Sequence, residues 1–157
     1  MNSRPWPPVF RKRYAKYASE LKGLYMELYH SNAAFNDFVE MLCRAWSERP
    51  EELRALDRAR LKEPDWYKKR EMLGMQMYVG AFAENLGGVR KKLKYIQDCG
   101  VNYLHLMPLL ESPKGRSDGG YAVSDFRKVQ PELGTMEDLA ALAHDCHRRG
   151  IDRKSVV

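Results

Sequence analysis

Apolar side chains recur along the first third of the chain at helical spacing. Tyr14, Tyr17, Leu21, Leu24 and Leu28 are three or four positions apart, which predicts a helix with one apolar stripe. Phe35, Phe38, Leu42 and Trp46 repeat the spacing in a second helix. That helix has to end before Pro50, because a residue preceding proline is pushed out of the α region. Pro50 suits the first turn of a third helix carrying Leu53 and Leu56, where its missing N–H would be unpaired anyway. Residues 1–74 are therefore expected to form an N-terminal helical domain. Its aromatics are read as core packing rather than a ligand box.

From Met75 the period changes. "MQMYV" is a short apolar run, and a helix with Leu86, Val89, Leu93 and Ile96 on one face follows it. Gly100 stands where a left-handed C-terminal cap belongs. "VNYLHLMPL" is apolar at successive positions, as a parallel strand covered on both faces would be. Thr135 with Asp138 reads as a capping box opening a helix that carries Leu139, Leu142 and Cys146 and ends at Gly150. Ile151 is expected to begin the next strand. The order β-α-β-α-β over residues 75–151 predicts an α/β unit with a parallel sheet. The closing "DRKSVV" resembles a translated sequencing adapter that runs into a stop codon. On that reading Asp152 to Val157 stand apart from the fold, and the natural protein continues past Ile151.

Composition narrows the function only a little. The chain has 157 residues, 44% of them apolar, which fits a globular protein. The net charge of +6 raises the possibility of a nucleic-acid partner. Acids and bases alternate, however, except in the cluster Arg4, Arg11, Lys12, Arg13 and Lys16, which reads as a solvated helix face. The alternative, a non-enzymatic helical module whose basic N-terminus binds an anionic partner, stays open on this evidence. No apolar run approaches the roughly 18 residues needed to cross a bilayer. The basic N-terminus has no apolar segment behind it, so a cytoplasmic protein with no membrane contact is expected. Cys43, Cys99 and Cys146 are odd in number and widely spaced, which suits reduced thiols.

The chemistry concentrates in "SDGGYAVSDF", residues 117–126. It lies in a strand-to-helix connection, Pro108 to Gly134, far longer than the usual two to six residues. In parallel α/β folds such loops meet the substrate. Gly119-Gly120 permits unusual backbone and close ligand approach. Asp118 offers acceptors to hydroxyl groups, and Tyr121 an aromatic face for the C–H side of a pyranose. A glycine turn with a buried tyrosine fits the spacing equally well.

The stretch "GVNYLHLMPLLESPKGRSDGGYAVSDFRKVQPELGTMEDL" resembles the second strand and following loop of the α-amylase superfamily, glycoside hydrolase family 13. Within it the chain is most like amylosucrases and related sucrose-acting enzymes. "RPEELRALDRARLKEPDWYKKREMLGMQMYVGAF" is similar to the amylosucrase helical domain and its join to the barrel. The resemblance implies the first βαβα units of a (β/α)8 TIM barrel. It implies sucrose and α-glucan as substrates, and retaining glucosyl transfer or, alternatively, hydrolysis by an α-glucosidase or sucrose hydrolase. It assigns Asp118 and Tyr121 to the subsite that holds the glucosyl ring, the tyrosine stacking on it and the aspartate pairing with an arginine from a later loop. It places the family's three catalytic carboxylates beyond this chain, so no catalytic residue is assigned and the chain alone is expected to be inactive. Asp125 is read as a loop anchor.

Nothing points to a cofactor. His144, Cys146 and His147, at i, i+2 and i+3 of a helix, do not converge on one metal ion. His105 is read as a hydrogen-bonded barrel residue. "NLGGVRKK" lacks both nucleotide-binding glycine patterns.

Overall fold

The computed structural model describes residues 6–155. Arg4 of the basic cluster, and Val156 and Val157 of the tail, lie outside the described residues. The chain divides after Pro64 into two compact units, each described by itself.

The first unit contains α1 (Pro8–Tyr29), α2 (Asn32–Glu48) and α3 (Glu51–Lys62). Ser31 caps α2 by accepting from the Ala34 N–H at 3.2 Å. The α1–α2 contact is aromatic: Tyr25 packs on Phe35 and Phe38, each 5.4 Å between ring centroids, and Phe10 on Trp46 at 6.0 Å. The packed face of α1 is therefore Phe10, Tyr14, Ala18, Leu21 and Tyr25. The stripe expected from sequence is only partly used, because Tyr17, Leu24 and Leu28 are 54%, 57% and 72% exposed. Tyr25 packs on the two α2 rings, and the helix turns that edge inward. Helix α3 buries no side chain and is tied by charge. Arg49 grips Asp57 through two hydrogen bonds of 2.7 and 2.9 Å, and the Arg54 guanidinium lies 5.1 Å over the Trp46 ring. Pro50 takes the cap position of α3, one residue before its first turn.

The second unit begins with a 3-10 turn, Trp66–Lys68, and enters strand β1 (Gly74–Met77). Residues 65–74, expected with the helical domain, fall in this unit. Asn102 holds them, accepting from the Leu73 N–H at 2.9 Å and donating to the Glu71 carbonyl at 2.6 Å. After β1 come α4 (Val79–Ala83), α5 (Leu86–Lys91), α6 (Leu93–Asp98), β2 (Tyr103–Leu106), β3 (Leu110–Glu111), β4 (Asp125–Val129), α7 (Met136–Arg148) and β5 (Asp152–Ser155).

Strands β1, β2 and β5 form a parallel sheet in that order, with Gln76 opposite His105 and Met77 opposite Leu106. The apolar positions expected on one helix, Leu86, Val89, Leu93 and Ile96, are all buried, but the helix breaks at Lys92 into α5 and α6. Lys92 donates to the Phe82 carbonyl and lies 4.5 Å over the Phe82 ring, so the break also ties down the end of α4. Gly100 takes φ +77 as the left-handed cap, and Thr135 with Asp138 forms the capping box of α7.

Two expectations need correction here. Strand β2 is buried on one face only: Leu104 and Leu106 are fully buried, while Tyr103 and His105 are half-buried. His105 Nε2 is buried without a hydrogen-bond partner among the described residues, because the Gln76 amide beside it turns to the Met107 sulfur. Asp152 to Ser155, set apart by the sequence, make β5, and the strand starts one residue after Ile151. A parallel ladder is built from backbone N–H and C=O, so any non-proline segment delivered beside β2 can join it.

Candidate functional site at the strand ends

The connection from Pro108 to Gly134 is not irregular throughout. Strands β3 and β4 pair antiparallel, with Leu110 opposite Val129 and Glu111 opposite Asp125. Leu110 and Val129 join the core, which roots this excursion next to the C-terminal end of β2. Asp125 holds the hairpin together: its Oδ1 accepts the Arg127 N–H at 2.8 Å and its Oδ2 pairs with Lys128 at 3.3 Å. The Arg127 amide first, and Lys128 with it, keep this carboxyl below the usual carboxylate range. Glu111 also pairs with Lys128, and Glu132 with Lys114.

At the tip of the excursion Asp118 to Tyr121 form a tight turn, closed by the Tyr121 N–H donating to the Asp118 carbonyl at 3.1 Å. Both central residues have positive φ, +60° at Gly119 and +93° at Gly120, which only glycine adopts without strain. A turn of this kind brings its first and last residues together, so Asp118 and Tyr121 stand side by side, and both are exposed. Tyr121 is 46% exposed and is not the buried tyrosine of a structural turn.

The turn leans on the two residues that leave the strands. A Cβ added at Gly120 would lie 2.9 Å from the Pro108 Cβ, two residues after β2. One added at Gly119 would lie 3.5 Å from the Tyr78 hydroxyl and 3.8 Å from two Tyr121 ring carbons. Tyr78 immediately follows β1 and is 47% exposed. Both glycines thus allow a close approach that places Asp118, Tyr121 and Tyr78 in one patch at the C-terminal ends of β1 and β2. Two phenol rings and a carboxylate suit a neutral polyhydroxylated ligand, with C–H faces for the rings and hydroxyls for the oxygens.

Sequence reading finds Asp118 and Tyr121 but not Tyr78. The latter sits inside an apolar run, and only its position one residue past the strand end separates it from core. The helical candidates lie elsewhere. Cys146 is fully buried, its thiol pushed up to about 11 by burial, and His144 is exposed beside Asp145. The described residues contain no group of three or more His, Cys, Asp or Glu arranged to hold a metal ion. None of the described helices is long and apolar enough to cross a membrane.

The α-amylase catalytic domain family matches residues 62–153. An oligo-1,6-glucosidase from Bacillus cereus is 35% identical over 96 residues, 57% of this chain and 16% of the relative. The trehalose synthase/amylase TreS of Mycobacterium tuberculosis is 39% identical over 95 residues, 57% of this chain and 15% of the relative. Among solved structures, the isomaltulose synthase SmuA from Protaminobacter rubrum superposes with a TM-score of 0.51 at 28% identity. That match covers 54% of this chain and 16% of SmuA. The trehalose-6-phosphate hydrolase TreA of Bacillus licheniformis gives 0.51 at 28% identity, over 57% of this chain and 17% of TreA. The chain thus spans about a sixth of the length of these relatives, and its parallel strands and crossover helices correspond to part of their barrel. With more than half of its residues matched, the chain belongs to the α-amylase family of glycoside hydrolases, family 13.

Proposed function

We propose that this chain supplies one wall of the glucosyl-binding pocket of a cytoplasmic, sucrose-acting transferase of the amylosucrase kind. The observation that carries the reading is the closed Asp118–Tyr121 turn. It holds an exposed aromatic ring and an exposed carboxylate next to Tyr78 and Pro108, where β1 and β2 end. Tyr121 stacks on the glucosyl ring, Asp118 accepts from its hydroxyls, and an arginine from a later loop closes the pocket over Asp118. Glucose is then passed to an α-glucan by a retaining double displacement whose two carboxylates come from later strands.

A second reading is favoured by a specific observation. The relatives named above bear the names of a glucosidase, a trehalose synthase, an isomaltulose synthase and a trehalose-6-phosphate hydrolase, so the second reading of the same pocket is hydrolysis or isomerisation. Sequencing the gene past the codon for Ile151 and incubating the full-length product with sucrose distinguishes them. Fructose with a growing α-glucan supports transfer. Equal glucose and fructose indicate hydrolysis, and a sucrose isomer indicates isomerisation. Absence of any action on sucrose or α-glucosides refutes the proposal.

A further inference from the structure

Tyr78 stands between two regular elements, and both fix its backbone. On one side the Met77 carbonyl, at the end of β1, accepts the Met107 N–H at 2.8 Å. On the other the Tyr78 carbonyl accepts the Phe82 N–H at 3.0 Å and opens α4. Tyr78 itself stays extended, with φ −82° and ψ 123°, so the alternation of the strand runs through it. Met77 and Val79 are buried in the core, and the Tyr78 side chain between them projects from the other face. Its base is rigid.

The turn it reaches is held less firmly. Asp118, Gly119 and Tyr121 are exposed, and the hydrogen bond that closes the turn runs within it. The nearest following side chain that packs on the core is Val123, two residues beyond Tyr121. Pro108 backs the turn at Gly120, and a turn held at one point can pivot. The second point is Gly119. The place where its Cβ would stand lies 3.5 Å from the Tyr78 hydroxyl and 3.8 Å from Tyr121 Cδ2 and Cε2. The phenol of one tyrosine and the ring edge of the other thus converge on one α-carbon that carries only hydrogens. A side chain there would occupy the gap that the two rings share.

We propose that Tyr78 is a positioning residue for the sugar site: it braces the turn at Gly119 and so sets the tilt of the Tyr121 ring. This rests on the reading that Tyr121 stacks on the glucosyl ring. Stacking needs the two faces aligned, so a ring free to pivot binds less well although no contact between Tyr78 and the sugar is lost.

The brace is tested first without sugar, by NMR-detected hydrogen exchange on the 157-residue chain. Exchange at the Tyr121 amide, which closes the turn, should speed up about fivefold in Tyr78→Ala, the mark of local opening. Tyr78→Phe, which loses only the touching oxygen, should speed it about twofold. Amides of the β2–β5 ladder should not change in Tyr78→Phe, which separates loss of the brace from loss of the fold. In the full-length enzyme on sucrose, Tyr78→Ala should lower kcat/KM about fivefold and add nothing to Tyr121→Ala, because a brace is idle once its ring is gone. An equal further loss in the Tyr121→Ala background would show that Tyr78 contacts the sugar itself, and would overturn the proposal. Unchanged exchange in both variants, or an unchanged kcat/KM in Tyr78→Ala, would overturn it too. An unaltered kcat/KM in Tyr121→Ala alone would refute the stacking reading and with it the role in binding, while faster exchange would still establish the brace.

Discussion

Single residues decide whether the strand-end patch is a sugar site. Tyr121 and Asp118 stand out in the sequence because their neighbours are two glycines in a loop too long for a plain connector, whereas Tyr78, which the fold brings beside them, does not, because tyrosine is as common in strands as at their ends. If Tyr121 stacks on glucose, removing its ring from the full-length enzyme costs about 1.5 kcal/mol, the upper range for an aromatic contact. Tyr121→Ala should therefore lower kcat/KM on sucrose about tenfold, while Tyr121→Phe, which keeps the face and loses only the rim hydroxyl, should stay within about threefold. Equal losses for both variants would mean that the hydroxyl, not the face, does the binding. The cysteines make a second residue-scale prediction. Cys99 is exposed, whereas Cys43 and Cys146 are buried, and burial holds the Cys146 thiol up at about 11. A thiol reagent at pH 8 should modify Cys99 quickly and the other two only after denaturation. Mass spectrometry of the labelled sites checks this.

Elements were easier to read than their ends. The four core positions from Leu86 to Ile96 are spaced as one helix, yet the backbone breaks at Lys92, because apolar periodicity reports which face is buried and is blind to a kink that leaves the face intact. The apolar stripe of α1 failed for a related reason: two overlapping stripes exist, and only a partner helix decides which is used. At the junction of α4 and α5, Gly88 has no room for a side chain, since a Cβ there would lie 1.9 Å from the Ala83 carbonyl oxygen. The obstacle is backbone, so Gly88→Ala should destabilise the second unit by about 3 kcal/mol, at the upper end for an overpacked site, seen as a lowered melting temperature. In the first unit, the Arg49 hydrogen bonds hold the Asp57 carboxyl below its ordinary value. A depressed pKa contributes stability that is complete above the unfolded value of about 3.9 and disappears as pH falls through the folded one. Both side chains are more than a third exposed, 37% and 34%, so water limits the contribution to about 1 kcal/mol or less. Asp57→Asn should lower the helical melting temperature at pH 7, and the difference from the wild type should shrink below about pH 4. A difference that persists undiminished at pH 2.5 would assign the effect to packing instead.

On the scale of the whole molecule, the sheet has three strands and two edges: β1 and β5 each have one neighbour. Its helix-facing side was plain in the sequence as Leu104, Leu106 and Ile151, all buried. The other side carries Tyr103 and His105 between those leucines, and there His105 Nε2 has no hydrogen-bond partner among the described residues. Retaining glycoside cleavage needs two carboxyl groups about 5–5.5 Å apart on opposite sides of the scissile bond. In the excursion that carries the strand-end patch, Asp125 and Glu111 are committed to Lys128 and Glu132 to Lys114, each holding the hairpin, and Asp118 is the carboxylate at the turn. A single carboxylate can accept a hydroxyl but cannot both protonate a leaving fructose and attack the anomeric carbon. The 157-residue chain should therefore release neither glucose nor fructose from sucrose, measured by enzyme-coupled assay of both sugars over hours, even if it binds sucrose weakly through Tyr121. Steady release of either sugar, abolished by Asp118→Asn, would show that this loop holds a catalytic acid and that the pocket works by a different division of labour.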